Sequence, residues 1–187
     1  MRNKEDWKNF ERAEYLKQFT PRIREVLSTL PDLDYCPDIQ SMYIYGDVNV
    51  GKTIEAASMM LQEQKTIYLH DGPKDHTQKC IFVSVPELFN EIKSTFNPNS
   101  EKTEQDILNY YYDAHLLVLD DFGTVKPTDW VLQTLYLIVN YRYDFLKKTI
   151  FTSNLSLQEV AKIYGDDRIT SRIDRMCVVF QKINWRK

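Results

Sequence analysis

The 187-residue chain has only three cysteines, Cys36, Cys80 and Cys177, an odd number set far apart. That pattern excludes a disulfide scaffold, and no pair has zinc-ligand spacing; reduced thiols, as in a cytosol, are expected. Long hydrophobic runs are missing too. Stretches such as Leu116 to Leu119 fall far short of the roughly 20 apolar residues of a membrane span. The opening "MRNKEDWKNFERAEYLKQF" is charged throughout and lacks the apolar centre of a secretory signal, so a cytoplasmic protein is expected. No repeat or low-complexity tract suggests an array. His70, His76 and His115 are scattered, and none has a motif partner. A net charge of −3 argues against a uniformly basic nucleic-acid binder. The sign is uneven, however, with 11 Lys/Arg against 6 Asp/Glu from residue 126 onward. This suits a carboxy-terminal part that meets phosphates or an acidic neighbour, and equally an ordinary fluctuation of surface charge.

What is present reads as one globular unit, 43% hydrophobic and 27% charged, long enough for one good core. Residues 5–18 have the spacing of an amphipathic helix with Trp7, Phe10, Tyr15 and Leu16 on its apolar face. A second helix begins at Pro21 and ends near Leu30-Pro31. Short apolar runs, "SMYIYG", "CIFVSV", "HLLVLDDFG", "KTIFTSN" and "CVVFQ", then alternate with helical stretches. That alternation predicts an α/β fold: a mostly parallel central sheet between helices, a three-layer αβα sandwich. Residues 1–38 are expected to form a helical extension and 39–187 the core. "KTIYLHDGPKDHTQK", residues 65–79, interrupts the pattern around Asp71-Gly72-Pro73 and reads as a surface hairpin or loop. The tyrosines at 110–112 and Trp130 read as core rather than as a base-stacking platform.

Four segments carry chemistry. Gly46-Asp47-Val48-Asn49-Val50-Gly51-Lys52-Thr53 fits G-x-x-x-x-G-K-[ST], with a strand before it and a helix after. Glycines let backbone N–H groups turn inward around phosphates, Lys52 would contact the β- and γ-phosphates, and the Thr53 hydroxyl would ligate Mg²⁺. "LLVLDDFG" ends a buried strand in Asp120, a rigid carboxylate for the metal, while Asp121 could polarise the attacking water. Asn154 closes "TIFTSN", where its amide could face the γ-phosphate and the water; taken alone, it would equally cap the next helix. Arg168, Arg172 and Arg175, spaced four and three, could share a helical face, and with Arg142 form a basic set. An arginine of this set could reach a neighbour's γ-phosphate, or the set could simply be salt-bridged to Asp166, Asp167 and Asp174.

Together these segments resemble the DnaC/DnaI-type helicase loaders and the related IstB-type transposition ATPases, a compact branch of the AAA+ P-loop ATPases. The likeness covers residues 40–180 and is carried by "MYIYGDVNVGKT", "VSVPELFNEIKSTF", "YYDAHLLVLDDFG", "TDWVLQTLYLIVNYRYDFLKKTIFTSN" and "DDRITSRIDRM". It implies Lys52 and Thr53 as Walker A, Asp120 and Asp121 as Walker B, and Asn154 as sensor 1. Arg172, with Arg168 as second choice, stands where the family keeps its arginine finger. Arg142 matches a recurring arginine expected at a subunit interface or near the nucleotide. It further implies ATP and Mg²⁺ as cofactors, homo-oligomers in the ATP state, and single-stranded DNA and a replicative DNA helicase as partners. A transposition helper that binds target DNA and a transposase is the alternative. Two departures bear on this. Asp121 replaces the commoner glutamate, which suits slow turnover. The expected extension lacks the cysteine set of DnaI-type loaders, and after residue 181 little or no C-terminal lid is expected.

Overall fold

Five strands of four to six residues each, rich in β-branched and aromatic side chains, pair in a single sheet of order β2-β3-β4-β1-β5. They are β1 (Met42–Tyr45), β2 (Cys80–Ser84), β3 (Leu116–Asp120), β4 (Lys148–Ser153) and β5 (Val178–Gln181). Every pairing is parallel, for example Met42 opposite Ile150 and Leu116 opposite Lys148. All carboxyl ends therefore face the same edge. The computed structural model describes residues 15–30, 39–71 and 80–183.

Side chains alternate across a strand, and that alternation divides the interior in two. Tyr43, Leu117, Leu119 and Phe151 point into one core; Ile44, Leu116, Val118 and Ile150 point into the other. The first core is covered by α3 (Val85–Ser94), α4 (Glu104–Tyr112), α5 (Asp129–Asp144), α6 (Leu157–Tyr164) and α7 (Arg168–Met176). The second is covered by α1 (Pro21–Thr29) and α2 (Lys52–Asp71). The expected three-layer architecture is thus present.

The helices start where the sequence provides a cap. Ser84 with Glu87, Thr103 with Asp106 and Ser156 with Glu159 form reciprocal capping boxes, and Thr128 caps α5. One expectation changes. Residues 65–71 are not a loop: α2 runs through them to Asp71, immediately before Gly72-Pro73, which disfavour further helix. The helix continues because Glu63, Gln64 and Lys65 are buried polar residues and Ile67 packs on the second core. Polar side chains that face inward hide the apolar periodicity. The amino-terminal helix falls largely outside the described residues, including Trp7 and Phe10; Leu16, Phe19 and Leu27 join the second core, with Tyr15 packed against it. As expected, Tyr111 and Tyr112 are core residues, while Tyr110 is exposed.

Candidate active site

The loop after β1 begins with Gly46, whose φ of +149° and crowded surroundings exclude a side chain. A Cβ there would stand 2.0 Å from the Lys182 carbonyl oxygen. Asn49 (φ 63°) and Gly51 (φ 85°) also take left-handed conformations, which turn the chain back into the first turn of α2. Lys52 opens that helix with its side chain folded inward and 7% exposed. Its ammonium donates to Gly46 O at 3.0 Å, Asp47 O at 2.8 Å and Asn154 Oδ1 at 2.8 Å. Burial pulls the Lys52 pKa down, opposed by the fields of Asp121, Asp120 and Asp47.

Asp120 ends β3 and is 6% exposed. Its carboxylate accepts from Thr53 Oγ1 at 3.0 Å and from the Thr152 hydroxyl. Burial pushes its pKa up; the Thr152 bond opposes this, the neighbouring Asp121 adds to it, and Thr53 and Lys52 oppose it further. Asp121 follows in a left-handed conformation (φ 57°), exposed, with its N–H donating to Thr152 Oγ1 at 3.1 Å. Directly after β4, Asn154 is exposed, and Ser156, not Asn154, caps α6. That leaves the Asn154 amide oxygen to Lys52.

Sequence reasoning missed Thr152 and Ser153. Thr152 links the Asp120 carboxylate to the Asp121 backbone, and Ser153 Oγ donates to Phe122 O at 2.6 Å. Buried hydroxyls at the end of an otherwise apolar strand were the available signal. Lys52, Thr53, Asp120 and Asn154 meet around one point. The oxygen-only pair of Thr53 hydroxyl and Asp120 carboxylate suits a hard divalent cation such as Mg²⁺.

The arginines lie elsewhere. Arg172 donates from Nε to Asn140 Oδ1 at 2.6 Å and from Nη2 to the Tyr136 hydroxyl at 3.0 Å, with its guanidinium over the Tyr136 ring. Arg168 also lies over Tyr136, and its charge is cancelled by Asp166 at 2.6 Å. Arg175 is exposed. Arg142 corrects the expectation of a nucleotide or interface contact. It is fully buried and donates to Thr149 Oγ1 at 2.8 Å and to the carbonyls of Tyr111, Tyr112, Ala114 and Lys148. Those acceptors lie at the amino-terminal ends of β3 and β4, about 15 Å from the loop by strand length.

A parallel sheet of this order, with a phosphate-type loop after its central β1, a buried aspartate after β3 and an asparagine after β4, defines the AAA+ type of P-loop ATPase domain. More narrowly, the chain belongs to the IstB-like ATP binding protein family, whose profile matches residues 3–184. It is 27% identical over 122 residues to the replicative helicase loader DnaI of Bacillus subtilis, covering 65% of this chain and 35% of that one. It is 29% identical over 108 residues to the replicative helicase loader DnaC of Buchnera aphidicola, covering 58% and 44%. The chain therefore spans less than half the length of these relatives. Among solved structures, the crystal structure of the DnaC helicase loader aligns with TM-score 0.61 and 23% identity, over 97% of this chain and 100% of that one. AMPPCP-bound DnaA from Aquifex aeolicus aligns with TM-score 0.63 and 20% identity, over 89% and 49%. These likenesses support the fold.

Proposed function

We propose that this chain is a cytoplasmic, slowly hydrolysing ATPase of the helicase-loader type, whose nucleotide state sets its grip on single-stranded DNA and on a replicative helicase. The observation that carries the reading is the Lys52–Asn154 contact beside the Thr53–Asp120 contact. It brings residues 102 positions apart into one site at the carboxyl ends of β1, β3 and β4. Its relatives named as replicative helicase loaders support the choice of partner.

Gly46 to Thr53 and Asp120 are the residues to hold ATP with Mg²⁺, which supplies the scissile phosphoanhydride and a divalent charge. Lys52 exchanges its bonds to Gly46 O and Asp47 O for phosphate oxygens. Asp120 and Thr53 would hold the Mg²⁺ through their side-chain oxygens, with Thr152 steadying the Asp120 carboxylate. Asp121 accepts a proton from water, and Asn154 orients that water. Aspartate is one methylene shorter than glutamate, hence the slow turnover. Arg172 completes the site from a neighbouring subunit. Its guanidinium is positioned by neutral groups, while Arg168 is already neutralised by Asp166. The test is ATP hydrolysis and assembly size, with and without single-stranded DNA and a candidate replicative helicase. Stimulation and a larger ATP-dependent assembly are expected. Hydrolysis indifferent to both, with a monomer throughout, refutes the reading.

The family match favours a second reading, a transposition helper that grips target DNA and a transposase. Pull-down with a transposase but not with a helicase would select it.

A further inference from the structure

Lys182, directly after β5, belongs to none of the motifs. Its N–H donates to Tyr45 O at 2.7 Å, and its carbonyl oxygen occupies the space a Gly46 Cβ would need. The backbone of Lys182 is thus pinned against the first residue of the phosphate loop. From there its ammonium reaches back over the loop, forming an ion pair with Glu55 in the first turn of α2. It lies 3.9 Å from where a Cβ on Gly51 would stand. It also lines a cleft of about 320 Å³ with Tyr45, Gly46, Asp47, Asn154 and Glu159.

Two ammonium groups, those of Lys52 and Lys182, therefore converge on the Gly51–Lys52 turn, close enough that Lys182 opposes protonation of Lys52. Like charges brought together cost energy unless an anion lies between or beside them. Here the compensating anion is Glu55, which is only partly buried and can return to water. The fields of the Asp47, Asp120 and Asp121 carboxylates also act on Lys52, so a polyphosphate entering the loop meets more acids than bases. A second lysine offsets part of that repulsion.

We propose that Lys182 is a second phosphate-binding cation of the nucleotide site, held by Glu55 until phosphate enters and then transferred to it. This rests on the reading of the loop as an ATP site. The lysine acts through a strand edge, since β5 lies beside β1 and delivers the residue after it to the loop that follows β1. Glu55 competes with phosphate for the same ammonium, and that competition gives the two residues opposite roles.

The test measures the dissociation constants of ATP·Mg²⁺ and ADP·Mg²⁺ for the whole chain by calorimetry. Lys182→Gln should weaken both about tenfold, the loss of one short-range charge interaction in a partly screened site. Glu55→Gln should tighten both about threefold, because the ammonium is released to the phosphates. Lys182→Arg should stay close to wild type. If the ion pair is only a clamp on the loop, the two glutamine variants break the same contact and shift affinity in the same direction, which overturns the proposal. Lys52→Ala serves as the control: undiminished binding there refutes the ATP-site reading, and this inference with it. Should Lys182→Gln fail to fold, Glu55→Gln decides alone, tighter binding supporting the proposal and unchanged or weaker binding overturning it.

Discussion

At the amino-terminal ends of β3 and β4, Arg142 donates to four backbone carbonyls and the Thr149 hydroxyl, with no exposure to solvent. Beside it, on the other face of the sheet, Glu63 accepts from Lys148 at 2.9 Å and bonds His115 at 2.7 Å. At the carboxyl-terminal ends of the same strands, Asp120 is buried and bonded, but Asp121 and Asn154 are exposed. Lys52 there folds back onto the carbonyls of its own loop. Both ends gather charged and hydroxyl groups. The amino end is closed, with each charge matched by fixed partners, and such a cluster stabilises one arrangement. The carboxyl end has exposed polar groups and a left-handed turn at Asp121, and its lysine can exchange partners. Buried polarity alone does not mark a site; polarity whose partners can change does.

The largest effect should come from breaking the closed end. Arg142→Met removes the donor for five acceptors and is expected to cost about 5 kcal/mol of stability or prevent folding, as loss of a buried charged partner does. Denaturant unfolding checks it, and any folded fraction should bind ATP as the wild type does. Burial pulls the Arg142 pKa down to about 9, while the carboxylate of Asp113 holds it up, so the side chain stays charged at neutral pH. A variant of wild-type stability with weakened ATP binding would return Arg142 to the nucleotide site. The open end should be sensitive to a residue outside it. Arg172→Ala should leave ATP affinity of the separated chain intact and slow hydrolysis by the assembly about a thousandfold, the effect typical of an arginine finger. Arg168→Ala should change it little. The reverse result would move the finger to Arg168.

Much of the open end was legible from the chain because its chemistry is local. The loop, Asp120 and Asn154 each close a strand whose apolar run is recognisable, and Ser84, Thr103, Thr128 and Ser156 announce the helices between. The closed end was not legible. Glu63 meets His115 and Lys148 across 52 and 85 positions, and no spacing rule joins them. The same inward-facing polar residues hide the last turns of α2, residues 65–71, which the sequence expectation gave as a hairpin or loop. Arg142 sits in a helix with all the signs of a functional arginine, and only the packing of α5 over the starts of β3 and β4 shows what it holds. Lys182 escaped notice for a similar reason: its place depends on β5 lying next to β1.

The smallest predicted effect separates the ends by pH. Burial alone would raise the Glu63 pKa, but the hydrogen bonds from His115 and Lys148 outweigh it, and the carboxyl titrates below its ordinary value. A carboxylate with a depressed folded-state pKa stabilises the fold above its unfolded pKa, and that contribution is lost as pH falls through the folded value. Glu63→Gln should therefore cost about 1–2 kcal/mol at pH 7, the range for a buried charged hydrogen bond left half-made. The difference between wild type and variant should shrink below the ordinary glutamate range, at pH of about 3–4. Urea unfolding of both proteins at the two pH values measures it. A gap that stayed constant with pH would mean that shape, not charge, sets the role of Glu63, and the amino end would then be held by Arg142 alone.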